Sequence, residues 1–316
     1  PEETSMEVIL GTMTFGQQVS QTDIRSMLDM FLDFGYRKID TAHKYGEGRT
    51  EELLGEALRP GQRQQVRIAS KVHPGKGGGL SPKRLTEQLE TSLKRLGTDC
   101  IDLLYLHQPD HDTPLEATLK TCHELRQQGK FLDLGLSNYA SWQVADIHHR
   151  CLHIGCPPPV MYQGMYNAIT REVEYELFPA LNHFQLAFCC YNPLAGGLLT
   201  GKHEDPSSIP DSGRFHFFQY YRDRYWKQST FEALETIRFA CHESGIPMAD
   251  AALRFLKHHS SLSAAKGDGI ILGASSVEHL ETNLRSLQAG PLPESILQAY
   301  EQAWALTRQH SPGYFR

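Results

Sequence analysis

The stretch Asp40-Thr41-Ala42-His43-Lys44-Tyr45-Gly46 ends a short apolar run in a carboxylate and, five residues later, sets a phenol in a glycine-containing loop. Two further apolar runs, 66–71 and 101–107, end in Lys71 and His107. A carboxylate, a phenol, an ammonium and an imidazole are the groups needed to protonate a carbonyl oxygen. A free phenol titrates near pKa 10 and is poorly matched to neutral pH. A neighbouring Lys71 cation would favour the phenolate and lower that value. Asp40 would keep the lysine charged, and a neutral His107 could orient the carbonyl. Each residue alone has an ordinary reading, since an aspartate at a strand end usually caps the next helix. A strand-end lysine also suits Schiff-base chemistry, as in an aldolase, and that alternative stays open here.

Placing these groups together requires a parallel sheet. Strand-like runs at 8–10, 36–40, 66–71, 101–107, 131–137, 160–163, 186–191 and 269–272 alternate with helical stretches. Ile24, Met27, Leu28 and Phe31 show the spacing of an amphipathic helix over 23–34, with Gly35 as its stop. Helices are also predicted over 49–58, ended by Arg59-Pro60-Gly61, and over 114–128, 141–153 and 171–183. Ser81-Pro82 opens a helix lined by Leu85, Leu89, Leu93 and Leu96. Eight alternating units predict an α/β fold, a (β/α)8 TIM barrel spanning 1–316 as one domain. A long aromatic and basic loop at 203–228 follows strand seven, and an extra helix is predicted over 294–308. In such a barrel every strand's carboxyl end faces one rim, where active sites form.

Other strand ends fit a bound nicotinamide. Ser137, Asn138 and Gln163 could hydrogen-bond a planar carboxamide, and Tyr191 could stack on its ring. Gly273-Ala274-Ser275-Ser276 opens a helix whose free N–H groups suit a phosphate. The loop from Asn192 through Pro193, Leu194, Gly196 and Leu198 to Lys202 is suited to covering a pyrophosphate. No Gly-x-Gly-x-x-Gly fingerprint follows a strand, so a dinucleotide would bind the barrel itself.

Composition narrows the class. The chain has 316 residues, a formal net charge of -6, 40% hydrophobic and 22% charged residues, and a pI near 6.3. No basic stripe for nucleic acid or membrane surface is present, and no apolar run approaches the roughly 20 residues of a membrane span. The chain opens at Pro1 without a charged-then-apolar leader, so a cytoplasmic protein is expected. Seven cysteines without a Cys-x-x-Cys pair read as free thiols in a reducing compartment. His148, His149, Cys151, His153 and Cys156 form the densest ligand cluster, but without the spacing of a zinc site, and no metal is expected.

With Gln163-Gly164-Met165-Tyr166-Asn167-Ala168, the 192–202 loop and Tyr314-Phe315-Arg316, the chain resembles the aldo-keto reductase superfamily, and within it the aflatoxin-aldehyde reductase branch. The resemblance covers nearly the whole chain. It implies NADPH-dependent reduction of aldehydes, with small carbonyl compounds such as succinic semialdehyde or a dialdehyde as substrates, and a homodimer by analogy. The family's tetrad falls on Asp40, Tyr45, Lys71 and His107. The resemblance further implies cofactor contacts at Asp40, Ser137, Asn138, Gln163, Tyr191, the 192–202 loop, Arg214, Ser275, Ser276, His279 and Asn283. It places His107, Tyr221, Arg224 and Arg316 around the substrate. One departure is that a lysine and an arginine that many members use for the 2′-phosphate correspond to Gly273 and His279. A cofactor-binding regulatory subunit with little turnover is the alternative function.

Overall fold

A computed structural model describes residues 6–316. Its strands are β1 Glu7–Gly11, β2 Lys38–Asp40, β3 Arg67–Val72, β4 Ile101–Leu106, β5 Phe131–Ser137, β6 Met161–Met165, β7 Ala187–Tyr191 and β8 Gly269–Gly273. All pair in parallel with their sequence neighbours, and β8 returns to β1, closing the barrel. The outer ring carries α1 Gln21–Asp33, α2 Arg49–Ala57, α3 Pro60–Arg63, α4 Pro82–Leu96, α5 Leu115–Gln127, α6 Ser141–His153 and α7 Leu177–Phe184. Two short helices, α8 Arg214–Phe217 and α9 Gln219–Tyr225, lie in the long stretch after β7. They precede α10 Gln228–Glu243, α11 Met248–His258, α12 Val277–Ser286 and the terminal α13 Glu294–Thr307.

The (β/α)8 expectation therefore holds, with local differences that have physical causes. The helix expected over 171–183 starts only at Leu177. Pro179 lacks an N–H and its ring would clash with the carbonyl four residues back, so it is confined to a first turn. Arg59-Pro60-Gly61 breaks α2 as expected but then starts α3, with Pro60 at its first position. The stretch at 203–228 is not one open loop, because α8 and α9 pack aromatic residues against the barrel mouth; Phe215 is fully buried against Trp226 and Tyr221.

Period-two alternation sorts strand residues between the barrel interior and the helix layer. Ile9, Tyr105, Cys189 and Ile271 form an interior cluster, with Ala69, Leu103, Met161 and Tyr191 against it. Two positions further along their strands, Ala69 is followed by Lys71 and Met161 by Gln163, so the polar groups form the layer above this apolar floor. Gly135 makes room for it: a Cβ there would lie 2.5 Å from the Tyr105 ring.

Closure is thinnest between β7 and β8, where only Cys189↔Gly269 and Cys190↔Ile270 are in register. Buried Asp268 reinforces that seam, accepting from the Phe188 N–H at 2.7 Å and the Ser263 N–H at 2.8 Å. Removing the carboxylate orphans both donors. Asp268→Ala is expected to lose on the order of 2–4 kcal/mol, seen as a lower urea midpoint at unchanged slope.

Candidate active site

The four groups singled out in the sequence meet at the carboxyl rim of the barrel. Lys71 Nζ donates to Asp40 Oδ2 at 2.6 Å and to the Thr41 carbonyl at 2.7 Å, and lies 3.4 Å from the Tyr45 hydroxyl. Both ends of the ion pair are shielded, with side-chain exposures of 0% and 5%. Gln163 Nε2 donates to the second Asp40 oxygen at 2.8 Å. Tyr45 and His107 meet edge to face, ring centroids 6.0 Å apart.

Each strand end has a local reason for this placement. Asp40, Lys71 and Gln163 point inward by alternation. The loop after β2 first continues the sheet, Thr41 N–H donating to the Ala69 carbonyl and His43 N–H to the Lys71 carbonyl. Tyr45 then lies with its ring over Lys71, centroid 4.9 Å from Nζ, and beyond it the chain turns through Gly46, Glu47 and Gly48, all with positive φ. Asn138 has φ 63, and that twist aims its amide sideways. Its Nδ2 donates to the His107 carbonyl at 2.9 Å and to Ser137 Oγ at 3.0 Å, while its Oδ1 accepts from the Tyr191 hydroxyl at 3.1 Å.

Electrostatics follow from burial and neighbours. Burial works against the Lys71 charge, but Asp40 and Tyr45 outweigh it and hold the ammonium above its ordinary value. For Tyr45, burial raises the phenol and wins over the lowering effect of Lys71. The sequence expectation of a lowered phenol is thus corrected: Lys71 restrains the rise without reversing it, and Tyr45 remains a protonated donor at neutral pH. Burial, then Lys71, drive His107 well below its usual range, so its imidazole is neutral.

A cleft of about 950 Å³ opens above these groups. Of the sequence-chosen residues, Asp40, Tyr45, His107, Ser137, Asn138, Gln163, Tyr191, Asn192, Pro193, Leu194, Gly196, Lys202, Arg214, Tyr221, Arg224, Ser275, His279, Asn283 and Arg316 line it. Lys71 lies beneath its floor, 1% exposed. Two choices fall outside. Leu198 is fully buried, its side chain holding the 192–202 loop onto the core instead of facing the cleft. Ser276 caps α12, its Oγ accepting from the His279 N–H at 3.2 Å. Tyr221 bonds toward the 192–202 loop: its hydroxyl donates to Asn192 Oδ1 at 3.0 Å and accepts from Arg214 at 3.2 Å. The His148–Cys156 cluster forms no metal site. Cys156 lies beyond the end of α6 at His153, and no ligand grouping able to hold a metal occurs among the described residues.

His73, Lys44 and Gln108 also line the cleft and were not picked out from the sequence. His73 lies two residues after Lys71, so alternation alone could have found it. Its ring packs edge to face on His107 at 5.2 Å, and its Nδ1 accepts from the Gly75 N–H at 2.8 Å, which puts the proton on Nε2. Residues 314–316 fasten along one side of the cleft. Arg316 N–H donates to the Asn138 carbonyl at 3.0 Å, and the Tyr314 hydroxyl accepts from the Ser141 N–H at 3.1 Å.

The model of the Aldo/keto reductase family matches residues 7–305. The chain belongs to that family. This aldo/keto reductase is an oxidoreductase, and its family works with a nicotinamide cofactor. It is 47% identical over 319 residues to human "Aldo-keto reductase family 7 member A3", covering 98% of this chain and 96% of the relative. It is 46% identical to mouse "Aflatoxin B1 aldehyde reductase member 2", over 98% of this chain and 87% of that one. A fungal aldo-keto reductase from Pseudocercospora fijiensis is 39% identical, over 92% and 100%. The branch resemblance read from the sequence motifs agrees with these relatives. No helix among the described residues is long and apolar enough to cross a membrane.

The cleft of this aldo/keto reductase fits the cofactor on its own terms. Asn192 is 7% exposed, and its Nδ2 is buried without a partner where the cleft passes the 192–202 loop. Beyond it, Gly273, Ala274 and Ser275 lead into the N-terminus of α12, which favours an anion.

His73 gives a pH signature. Burial, then the Lys44 and Arg316 charges, lower it to about 4. Its folded value lies below the unfolded one, so the stability it contributes is present above about pH 6.5 and lost as pH falls toward 4. Between pH 6.5 and 5 the melting temperature of wild type should fall more steeply than that of His73→Gln. Parallel curves would contradict this assignment.

Proposed function

We propose that this protein is an NADPH-dependent aldehyde reductase in which Tyr45 donates the proton. The observation that carries the reading is the Tyr45–Lys71–Asp40 chain lying under an open cleft beside a neutral His107. When bound, the reduced nicotinamide supplies the hydride. The protein's own groups do the rest. His107, neutral, orients the carbonyl oxygen through an N–H. Tyr45 releases its proton to the developing alkoxide, and the adjacent Lys71 ammonium stabilises the phenolate left behind. Asp40, held by Gln163, keeps Lys71 charged and aimed. Charge stabilisation in place before reaction is usually the largest catalytic contribution.

The polar strand ends support the cofactor reading. Ser137, Asn138 and Gln163 present amides and a hydroxyl beside Tyr191, the platform for the ring. Ser275, His279, Asn283, Arg214 and Lys202 line the far end and would meet the phosphates. Preference for NADPH over NADH rests on these groups, since Gly273 supplies no cation. Arg214 is the strongest candidate, because its guanidinium already lies beside Gly273; a Cβ added there would be 3.3 Å from Nη2.

Arg224 and Arg316 face the same mouth, with the Arg224 guanidinium stacked over the Tyr220 and Tyr221 rings. A carboxylate on the substrate would find two guanidinium groups there. Aldehyde acids such as succinic semialdehyde are the favoured class, with dialdehydes beside them. Several relatives are named for an aflatoxin aldehyde.

Two measurements test these assignments. Tyr45→Phe should bind NADPH as tightly as wild type and lose roughly two to four decades of turnover; near-full turnover would remove Tyr45 from the proton-donor role. Separately, kcat/KM for succinic semialdehyde should exceed that for butanal, and Arg224→Ala should shrink the ratio about tenfold. An unchanged ratio would dismiss the carboxylate grip.

A further inference from the structure

The loop bearing Tyr45 is held from two sides. On its inner side the holder is Lys71, through the Thr41 carbonyl and the His43 N–H. On its outer side lies a group the mechanism does not use. The Arg95 side chain, on α4, reaches the His43 carbonyl at 3.2 Å, His43 Nδ1 at 3.4 Å and Glu51 Oε2 at 3.3 Å, all from Nη1. Its guanidinium presses on Gly48 so closely that an added Cβ would sit 2.3 Å from Cζ. Arg95 is fixed in turn. Its own carbonyl lies where a Cβ on Gly55 of α2 would be 2.4 Å away, so α2 and α4 are in backbone contact at this point. Glu51, fully buried, also accepts from Ser70 Oγ at 2.6 Å, and Ser70 is the residue before Lys71.

The loop needs such a holder. Gly46, Glu47 and Gly48 all have positive φ, and Glu47 pays a steric cost for it. That conformation persists only where its surroundings impose it. The Tyr45–Lys71 contact at 3.4 Å is near the limit of a hydrogen bond, so a small outward drift of the loop breaks it. Misplacement by about 1 Å can cost on the order of 100-fold in rate.

We propose that Arg95 is a positioning residue for the proton donor: clamped by Glu51, it grips the His43 carbonyl and the Gly48 backbone and so sets the distance from Tyr45 to Lys71. The proposal rests on the reading of Tyr45 given above. Arg95 touches neither the cleft nor the tetrad side chains, and its effect passes through the loop, by the His43 carbonyl and ring and the Gly48 backbone.

Arg95→Ala leaves the buried Glu51 carboxylate without its cation, which can unfold the protein. The test therefore uses the Arg95→Ala/Glu51→Gln double variant beside Arg95→Ala, Arg95→Lys and Tyr45→Phe. NADPH affinity is measured by fluorescence titration and kcat with 2-nitrobenzaldehyde. In the double variant, kcat should fall about 10- to 100-fold while the NADPH Kd stays within a factor of about three, since no cofactor contact is changed. Added methylguanidine should restore part of the lost kcat in Arg95→Ala, and Arg95→Lys should lie between wild type and Arg95→Ala. A double variant with kcat within about twofold of wild type overturns the proposal. So does a fall in kcat matched by an equal loss of NADPH affinity and untouched by methylguanidine, the mark of general loosening. Full turnover in Tyr45→Phe would instead refute the proton-donor reading and take this proposal with it, an outcome told apart because it appears in the single Tyr45 variant.

Discussion

The buried ion pair between Lys71 and Asp40 sets the terms for the rest of the molecule. Taking two charges out of water costs several kcal/mol per ion unless further hydrogen bonds compensate. Here they do. Lys71 has three protons to give, and three oxygens surround it: a carboxylate, a backbone carbonyl and a phenol. The free Asp40 oxygen is taken by Gln163. An arrangement that satisfies a buried ammonium this fully also fixes a phenol beside a permanent cation. The solvation problem and the chemistry thus share one solution.

That solution depends on the barrel's geometry. Tyr105, Cys189 and the interior aliphatic residues fill the layer below the pair and keep water from beneath it. The Tyr105 hydroxyl, otherwise stranded, lies 3.2 Å from the Cys189 thiol. The floor is apolar, the layer above it holds the paired Lys71, Asp40 and Gln163, and the top opens to the cleft.

Much of this was legible in the chain itself. Strand ends in Asp40, Lys71 and His107 stand out because alternation forces them inward, and eight β/α units leave closure as the economical outcome. What escaped was governed by contacts distant in sequence. The direction of the Tyr45 shift depended on desolvation outweighing the Lys71 charge, a balance that neighbouring residues do not announce. Leu198 and Ser276 sit in motifs that face the cleft, but the motif does not say which side chains turn away to pack or to cap. The ordering of 203–228 into α8 and α9 came from aromatic packing of Phe215, Tyr221 and Trp226, which has no local period. Pro179 delays the start of α7 because a proline fits only a helix's first turn, a constraint that outweighs the helical pattern before it.

The last residues illustrate a division of labour. Tyr314 and the Arg316 main chain do the fastening, through Ser141 and the Asn138 carbonyl, whereas the Arg316 side chain only faces the cleft. Docking therefore rests on Tyr314 and on main-chain atoms, so replacing the Arg316 side chain would reshape the cleft wall without loosening the segment that carries it.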